Sequence, residues 1–413
     1  MAERKKRLEL TWIGKEERPR LEPRILLEDA ALSYHAAKGV TEHDVFDNRL
    51  IHGDNLLALK ALEQEFTGKV KCVCVDPPYN TGSAFSVYDD RLEHSLWLSL
   101  MRDRVERFHQ LLGEDGSMWM FLDDNEAHYM KVVCDEVFGR HNFVQTVIWQ
   151  RKASPANDAK WLSNDHDYIL VYAKNKDVWR PYRLERNAAQ NSYYTNPDQD
   201  PRGPWNSVTY TCNKSAEERP NLYYALVNPN TGEEVWPKRT AVWRCGPDTH
   251  AKNVAEKLVY WGKDGRGAPR LKRFLEKASP VVPRSVWLHE DVGHTQSAMV
   301  ESKALFPNAA FPTPKPESVI ARILQIATVE GDLVVDSFLG SGTTAAVAHK
   351  LGRRWIGIEL GDHAITHCVP RLKKVIEGSD PGGVTEASGW QGGGGFHFFN
   401  LASSLLEKDK WGN

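Results

Sequence analysis

From Asp332 to Glu359 the chain spells strand, glycine turn, helix and strand, and no other feature narrows the choice of fold as much. Asp332-Leu333-Val334-Val335-Asp336 is a short apolar run of strand length. Gly340 and Gly342 follow at once, Thr343–Leu351 has the length and texture of a helix, and Trp355-Ile356-Gly357-Ile358-Glu359 is a second buried strand. The same alternation fills the N-terminal third. Val70–Val75 reads as a buried strand that Pro77 and Pro78 stop. His94–Leu112 carries Leu96, Leu100, Met101, Val105, Phe108 and Leu112 at helical spacing. Gly116–Leu122 and Phe143–Trp149 read as strands and His128–Phe138 as a helix. Strands alternating with helices predict an α/β fold, a doubly wound and mostly parallel sheet.

Four regions divide the chain. Residues 1–45 are mixed and charged, with basic clusters at Arg4–Arg7 and Arg18–Arg24, and predict a partly extended arm. Residues 46–150 hold the first α/β half, where Asp54-Asn55 opens the helical run Leu56–Leu62. From 151 to 305 the alternation fades, apart from one clear strand at Asp167–Tyr172, and residues 187–250 are rich in Asn, Pro, Gly, Thr and Trp, so an inserted region is expected there. Residues 306–413 restore the α/β texture, with a helix over Glu317–Thr328, and end beyond the glycine run Gly392–Gly395.

Composition matters mainly for what it excludes. No apolar run reaches the length of a membrane span. Met1–Lys6 is charged and leads into no apolar signal core, which predicts a cytoplasmic protein. The six cysteines form no CxxC pair, and Cys72 and Cys74 alternate within a strand, as buried thiols do. No cluster of His or carboxylates stands at metal-ligand spacing, so no metal is expected. The net charge is -2. A polyanion partner would therefore need a local basic surface, and residues 151–305 carry 24 Lys and Arg against 18 Asp and Glu.

Two motifs carry chemistry. In Asp336-Ser337-Phe338-Leu339-Gly340-Ser341-Gly342-Thr343 the glycines let backbone pass close to a ligand, and Glu359 at the tip of the next strand can accept hydrogen bonds from ribose hydroxyls. A phosphate loop would need a Lys after the glycines, and Thr343 stands there instead. The second motif, Asp76-Pro77-Pro78-Tyr79, is delivered by a strand to the carboxyl edge of the sheet. A carboxylate and a fixed Pro77 carbonyl can draw the N–H groups of an exocyclic amine and leave its lone pair aimed at an electrophile. Tyr79 offers a face for a base that has left the duplex. A nucleophilic Cys, as cytosine C5 chemistry requires, is absent from the place Tyr79 occupies.

Asp-Pro-Pro-Tyr followed by Phe-x-Gly-x-Gly, in that order with a long region between, resembles the β class of DNA amino-methyltransferases. Leu10–Lys15, His52–Asn55, Asn80-Thr81-Gly82 and His166–Tyr172 resemble the modification (Mod) subunits of type III restriction systems. The resemblance implies a Rossmann-like domain that transfers a methyl group from S-adenosylmethionine to N6 of an adenine in double-stranded DNA. It implies Asp76, Pro77, Pro78 and Tyr79 at the target base. It implies Asp336, Phe338, Gly340, Ser341, Gly342 and Thr343 at the cofactor, Glu359 at its ribose and Asp54 near its adenine. Thr313 and Lys315, in Pro312–Pro316, would hold its methionine carboxylate at a helix start. A restriction subunit and a second copy of the chain are the protein partners it suggests. The chain is shorter than the usual Mod subunit, which also allows a solitary methyltransferase. Asp rather than Ser heads the catalytic motif, which leans toward adenine over cytosine N4.

The middle region, 151–305, would then recognise the target. Trp149–Trp161 interleaves basic and aromatic residues and predicts a loop on DNA at the displaced base, with Arg151, Lys152 and Lys160 as contacts. Arg239, Arg244, Lys252, Lys257, Arg270, Lys272 and Arg273 are further candidates for phosphates. Trp205, Trp236, Trp243 and Trp261 are expected to pack rather than stack on bases. The alternatives are a cytosine-N4 methyltransferase, a DNA-binding specificity subunit without turnover, and a methyltransferase of RNA or small molecules.

Overall fold

A computed structural model describes residues 9–37, 39–40, 44–80 and 93–404. The basic cluster Arg4–Arg7 and the Thr81-Gly82 pair lie outside the described residues. The chain divides into two compact units, residues 1–182 with 283–413, and residues 183–282.

The first unit is built on one sheet of eleven strands. In chain order these are β1 (Leu26–Glu28), β2 (Tyr34–His35), β3 (Asn48–His52), β4 (Val70–Val75), β5 (Leu112–Leu122), β6 (Phe143–Gln150), β7 (His166–Ala173), β8 (Val286–Trp287), β9 (Leu333–Asp336), β10 (Arg354–Glu359) and β11 (Gly395–Leu401). Their order across the sheet is β1-β11-β3-β10-β9-β4-β5-β7-β6-β8, with β2 paired to β11. From β11 to β5 every pairing is parallel. β7 then runs antiparallel between β5 and β6. The α/β sheet expected from the sequence is present and is parallel through its centre.

The longer helices of this unit are α1 (Asn55–Phe66), α2 (His94–Leu111), α3 (Ala127–Cys134), α4 (Thr295–Leu305), α5 (Glu317–Ala327), α6 (Thr343–Lys350) and α7 (Val369–Ile376). Asp54 is the N-cap of α1, its side chain accepting from Leu57 N at 3.0 Å. α2 forms where expected, but its buried stripe is Trp97, Leu98, Met101, Val105, Phe108 and Leu111, and Leu96 is 58% exposed. The stripe is one residue out of phase at its start because Trp97 buries more apolar surface and brings an indole N–H that reaches Pro78 O at 2.9 Å. Ile51, Val73, Trp97, Met120, Val335 and Ile358 meet in one core under these helices. Each such side chain contributes roughly 1.5–3 kcal/mol by leaving water.

β4 and β9 are adjacent and parallel, with Val334 opposite Cys72 and Val335 opposite Val73. Chain entering from the N-terminal half therefore lies beside chain entering from the C-terminal half. Open α/β sheets bind ligands at such a switch point, beyond the carboxyl ends of the strands. Cys72 and Cys74 are buried free thiols, as their alternation predicted.

The second unit carries a three-stranded antiparallel sheet of Val259–Tyr260, Arg270–Phe274 and Trp205–Thr209, a short hairpin and the helix Pro247–Ala255. Its core is Tyr210, Leu226, Trp243 and Trp261. This unit is narrower than the 151–305 insertion expected from sequence. Residues 166–173 supply a strand of the main sheet, and 286–287 extend its edge.

Candidate active site

The end of β4 and the end of β9 open on a shared cavity of about 470 Å³. Asp76, Pro77, Pro78 and Tyr79 line one side, and Asp336, Phe338, Gly340, Ser341 and Thr343 line the other. Residues 260 positions apart in the chain thus face each other because two strands pair. Thr313 and Lys315 also line the cavity, whereas Asp54, Gly342 and Glu359 do not.

The glycine loop is held from several sides. Gly340 and Gly342 have φ of +56° and +81°, a region that costs any L side chain. A Cβ at Gly342 would also stand 3.4 Å from Cys368 Cα. Asp336 is buried and accepts from Phe338 N at 2.9 Å. Asn55 Nδ2 donates to Ser337 O at 2.7 Å. Glu359, 1% exposed, accepts from Gly340 N at 2.7 Å, Leu360 N at 2.7 Å and Gly361 N at 3.0 Å, and pairs with His363 at 2.9 Å. In this structure its carboxylate fastens the loop. Arg371 donates to Thr343 Oγ1 at 2.9 Å and to Glu317 Oε1 at 2.8 Å, tying the loop to the first turn of α5. Burial pushes the Glu317 carboxyl up, but Arg371 and Lys350 outweigh it and hold it below its usual range.

The opposite wall gathers carboxylates. One oxygen of Asp76, Oδ2, pairs with the Lys315 ammonium, and the other, Oδ1, is buried without a hydrogen-bond partner among the described residues. Lys315 also lies over the rings of Tyr79 and Phe121, at 5.1 and 5.2 Å from their centroids. In this structure its charge thus rests on Asp76 and on these two rings. Asp167 pairs with Arg151 at 2.8 Å and receives Tyr79 OH at 3.4 Å. Burial pushes the Asp167 carboxyl up to about 6 despite Arg151 and Lys315. Burial likewise pushes Asp336 up to about 7, with the charges of Asp76 and Glu359 adding to it. The Tyr79 phenol is pushed well above its ordinary value, again chiefly by burial. It stays neutral, an aromatic face with its hydroxyl anchored.

Of the residues proposed for DNA, Arg151 sits in the cavity wall and is paired to Asp167, while Lys152 and Lys160 follow it in the same loop. Arg239 and Arg244 belong to the second unit. Arg239 is exposed, 3.8 Å from Glu217, and the Arg244 side chain donates to Thr211 O and Thr209 Oγ1. Lys272 is buried and paired with Asp198 and Asp200, which removes it from the candidates for phosphate. Trp205, Trp243 and Trp261 are buried, while Trp236 is half exposed against Tyr223. The pairing of Arg151 with Asp167 and the reach of Arg371 have no signal in either motif. Asp167 opens the strand read from Asp167–Tyr172, and a carboxylate beginning an apolar strand was the available signal.

A doubly wound sheet with a polar cavity at its switch point and a glycine loop on one wall defines a ligand-binding α/β protein of the open-sheet class. The model of the DNA methylase family for N6 and N4 methyltransferases matches residues 70–369, and the chain belongs to that family. It is 31% identical over 410 residues to HindVI of Haemophilus influenzae, named a probable type III restriction-modification enzyme Mod subunit, covering 86% of this chain and 54% of that protein. It is 32% identical over 340 residues to the StyLTI Mod subunit of a type III restriction-modification enzyme from Salmonella typhimurium, covering 75% and 50%. It is 31% identical over 327 residues to the type II methyltransferase M.EcaI of Enterobacter cloacae, covering 76% and 67%. The chain spans about half the length of the two Mod subunits. The likeness to Mod subunits read from the motifs is borne out. Among the described residues no helix is long and apolar enough to cross a membrane.

Proposed function

We propose that this protein methylates N6 of a displaced adenine in double-stranded DNA, with S-adenosylmethionine as donor. The observation that carries the reading is the Asp76 carboxylate. Asp76 lines the cavity opposite the glycine loop, and its buried Oδ1 accepts no hydrogen bond from the described residues. A buried acceptor without a donor calls for one, and an exocyclic amine supplies it.

Asp336, Phe338, Gly340, Ser341 and Thr343 would hold the cofactor, and Glu359 would reach its ribose while fixing Gly340. When bound, S-adenosylmethionine would supply a sulfonium methyl for direct transfer to nitrogen, its S–CH3 bond breaking as the N–CH3 bond forms and leaving the neutral thioether, while the amine sheds one proton to Asp76 or to water. Asp76 Oδ1 accepts one N–H of the target amine and the Pro77 carbonyl accepts the other. Lys315 and Trp97 hold that corner still: one pairs with Asp76, the other donates to Pro78 O. Tyr79, its hydroxyl on Asp167, presents its face to the base.

The region 151–305, with the compact unit 183–282 inside it, would read the DNA sequence. The names of the Mod relatives support a place in a restriction-modification system, with a restriction subunit and a second copy of the chain as partners; co-purification from the native host tests both. For the reaction itself, duplex DNA is incubated with the protein and labelled S-adenosylmethionine, then digested to nucleosides. N6-methyladenine is the expected product. N4-methylcytosine would overturn the choice of base, and cofactor binding without transfer would make the chain a specificity subunit.

A further inference from the structure

The loop between β6 and β7 leaves Trp161 84% exposed and Leu162 90% exposed. A single exposed apolar side chain is ordinary. Two adjacent ones, at the tip of a loop rooted in the candidate active site, ask for an occupant.

The root is well defined. Arg151 N and Lys152 N both donate to Asp165 O, at 2.9 and 3.3 Å, closing the loop at its base. Arg151 and Asp167, on either side of that closure, form the ion pair in the cavity wall. Thr295, which lines the same cavity, donates from its backbone N and its Oγ1 to Arg151 O at 3.0 and 2.6 Å. Farther out, Ala156 N donates to Ser163 Oγ at 2.7 Å and Ala159 N to Ala156 O at 3.1 Å. These bonds brace the stem and leave Trp161 and Leu162 projecting. Lys160 Nζ lies 5.1 Å from the Trp161 ring centroid, and no ion pair of Lys152 or Lys160 occurs among the described residues. The tip is therefore apolar with a cationic flank, the character of a segment that meets a stacked polyanion.

Resting on the reading of the site as a DNA methyltransferase, we propose that Trp161 and Leu162 form the wedge that enters the base stack as the target nucleotide leaves it. Duplex DNA is the partner this tip fits. Apolar side chains inserted at a base step offset the stacking lost there. Asp167 joins both ends of the event, holding Tyr79 inside the cavity and Arg151 at the loop's root.

The test uses the whole chain and the recognition duplex that mapping of methylated sites defines. The variant carries Trp161→Ala and Leu162→Ala together; both side chains are exposed, so unfolding should be unchanged. Two readouts are taken: single-turnover transfer, and fluorescence of 2-aminopurine placed at the target position, which reports extrusion without any transfer. The proposal expects about 30-fold slower transfer on the paired duplex and loss of the fluorescence rise. Transfer should recover to within about threefold of the unaltered chain when the target adenine faces an abasic site, because that base leaves the stack at least cost. Trp161→Phe should retain most activity. Equal loss on both duplexes, or no loss on the paired one, overturns the wedge. The latter result with weakened capture of a protein partner would assign the tip to that partner. Absence of transfer by the unaltered chain on either duplex would instead refute the methyltransferase reading itself.

Discussion

Replacing Glu359 by Ala separates two roles that share one carboxylate. The side chain is buried, accepts three backbone N–H groups and pairs with His363. Hydrogen bonds to a charged group contribute about 1.5–3 kcal/mol each, but they are not additive, and the buried carboxylate regains hydration on unfolding. Removing one member of a buried charged pair costs about 3–5 kcal/mol, a fair measure for the whole cluster. For a chain of 413 residues that corresponds to a fall in Tm of about 3–6 °C. If the carboxylate also holds the ribose, cofactor binding loses a further bond or two, about 100-fold in Kd. Calorimetric titration with S-adenosylmethionine, run well below the lowered Tm, measures the second effect apart from the first. The protective rise in Tm at saturating cofactor should shrink in parallel. A lowered Tm with Kd within about threefold of the unaltered protein would refute the ribose role and leave Glu359 as the fastener of the Gly340 loop.

Lys315→Met should slow transfer at least about tenfold with little change in cofactor Kd, because its charge rests on Asp76; weaker cofactor binding with an unchanged rate would return Lys315 to the methionine carboxylate. The Asp336 carboxyl, pushed up to about 7, binds its proton more tightly folded than unfolded, so the stability it gives is lost as pH rises from about 4 to 7. Asp336→Asn should flatten the dependence of Tm on pH across that window, and an unaltered slope would contradict the burial of an ionisable group there. DNA affinity should fall steeply with salt, and Lys152→Ala with Lys160→Ala should reduce the log–log slope by up to about 2; an unchanged slope would place both lysines off the phosphates.

The elements most legible in sequence were those whose signal is local. Val70–Val75 appears as a strand with the bounds its apolar run predicted, and α6 starts where the glycines end. β3 carries no strand signal of its own, because Asn48, Arg49 and His52 flank only Leu50 and Ile51; its place is set by pairing with β10 and β11, far along the chain. β11 emerges from the glycine run Gly392–Gly395, which carries no strand pattern, yet Phe396 and Phe398 bury completely. The motif residues at the cavity were legible because their types are dictated by chemistry. Their partners were not. Lys315 on Asp76, Arg151 on Asp167 and Arg371 between Thr343 and Glu317 are side-chain pairings across folded distance, with no periodicity to announce them.

Long-read sequencing of DNA from cells expressing this protein, beside cells expressing its Asp76→Ala form, tests the assignment of Asp76 to a transferring site most directly. N6-methyladenine at one sequence motif, present with the unaltered chain and absent with the variant, is the predicted result. The same modified sites in both strains would remove Asp76 from the reaction, and a modified cytosine in place of adenine would contradict the substrate.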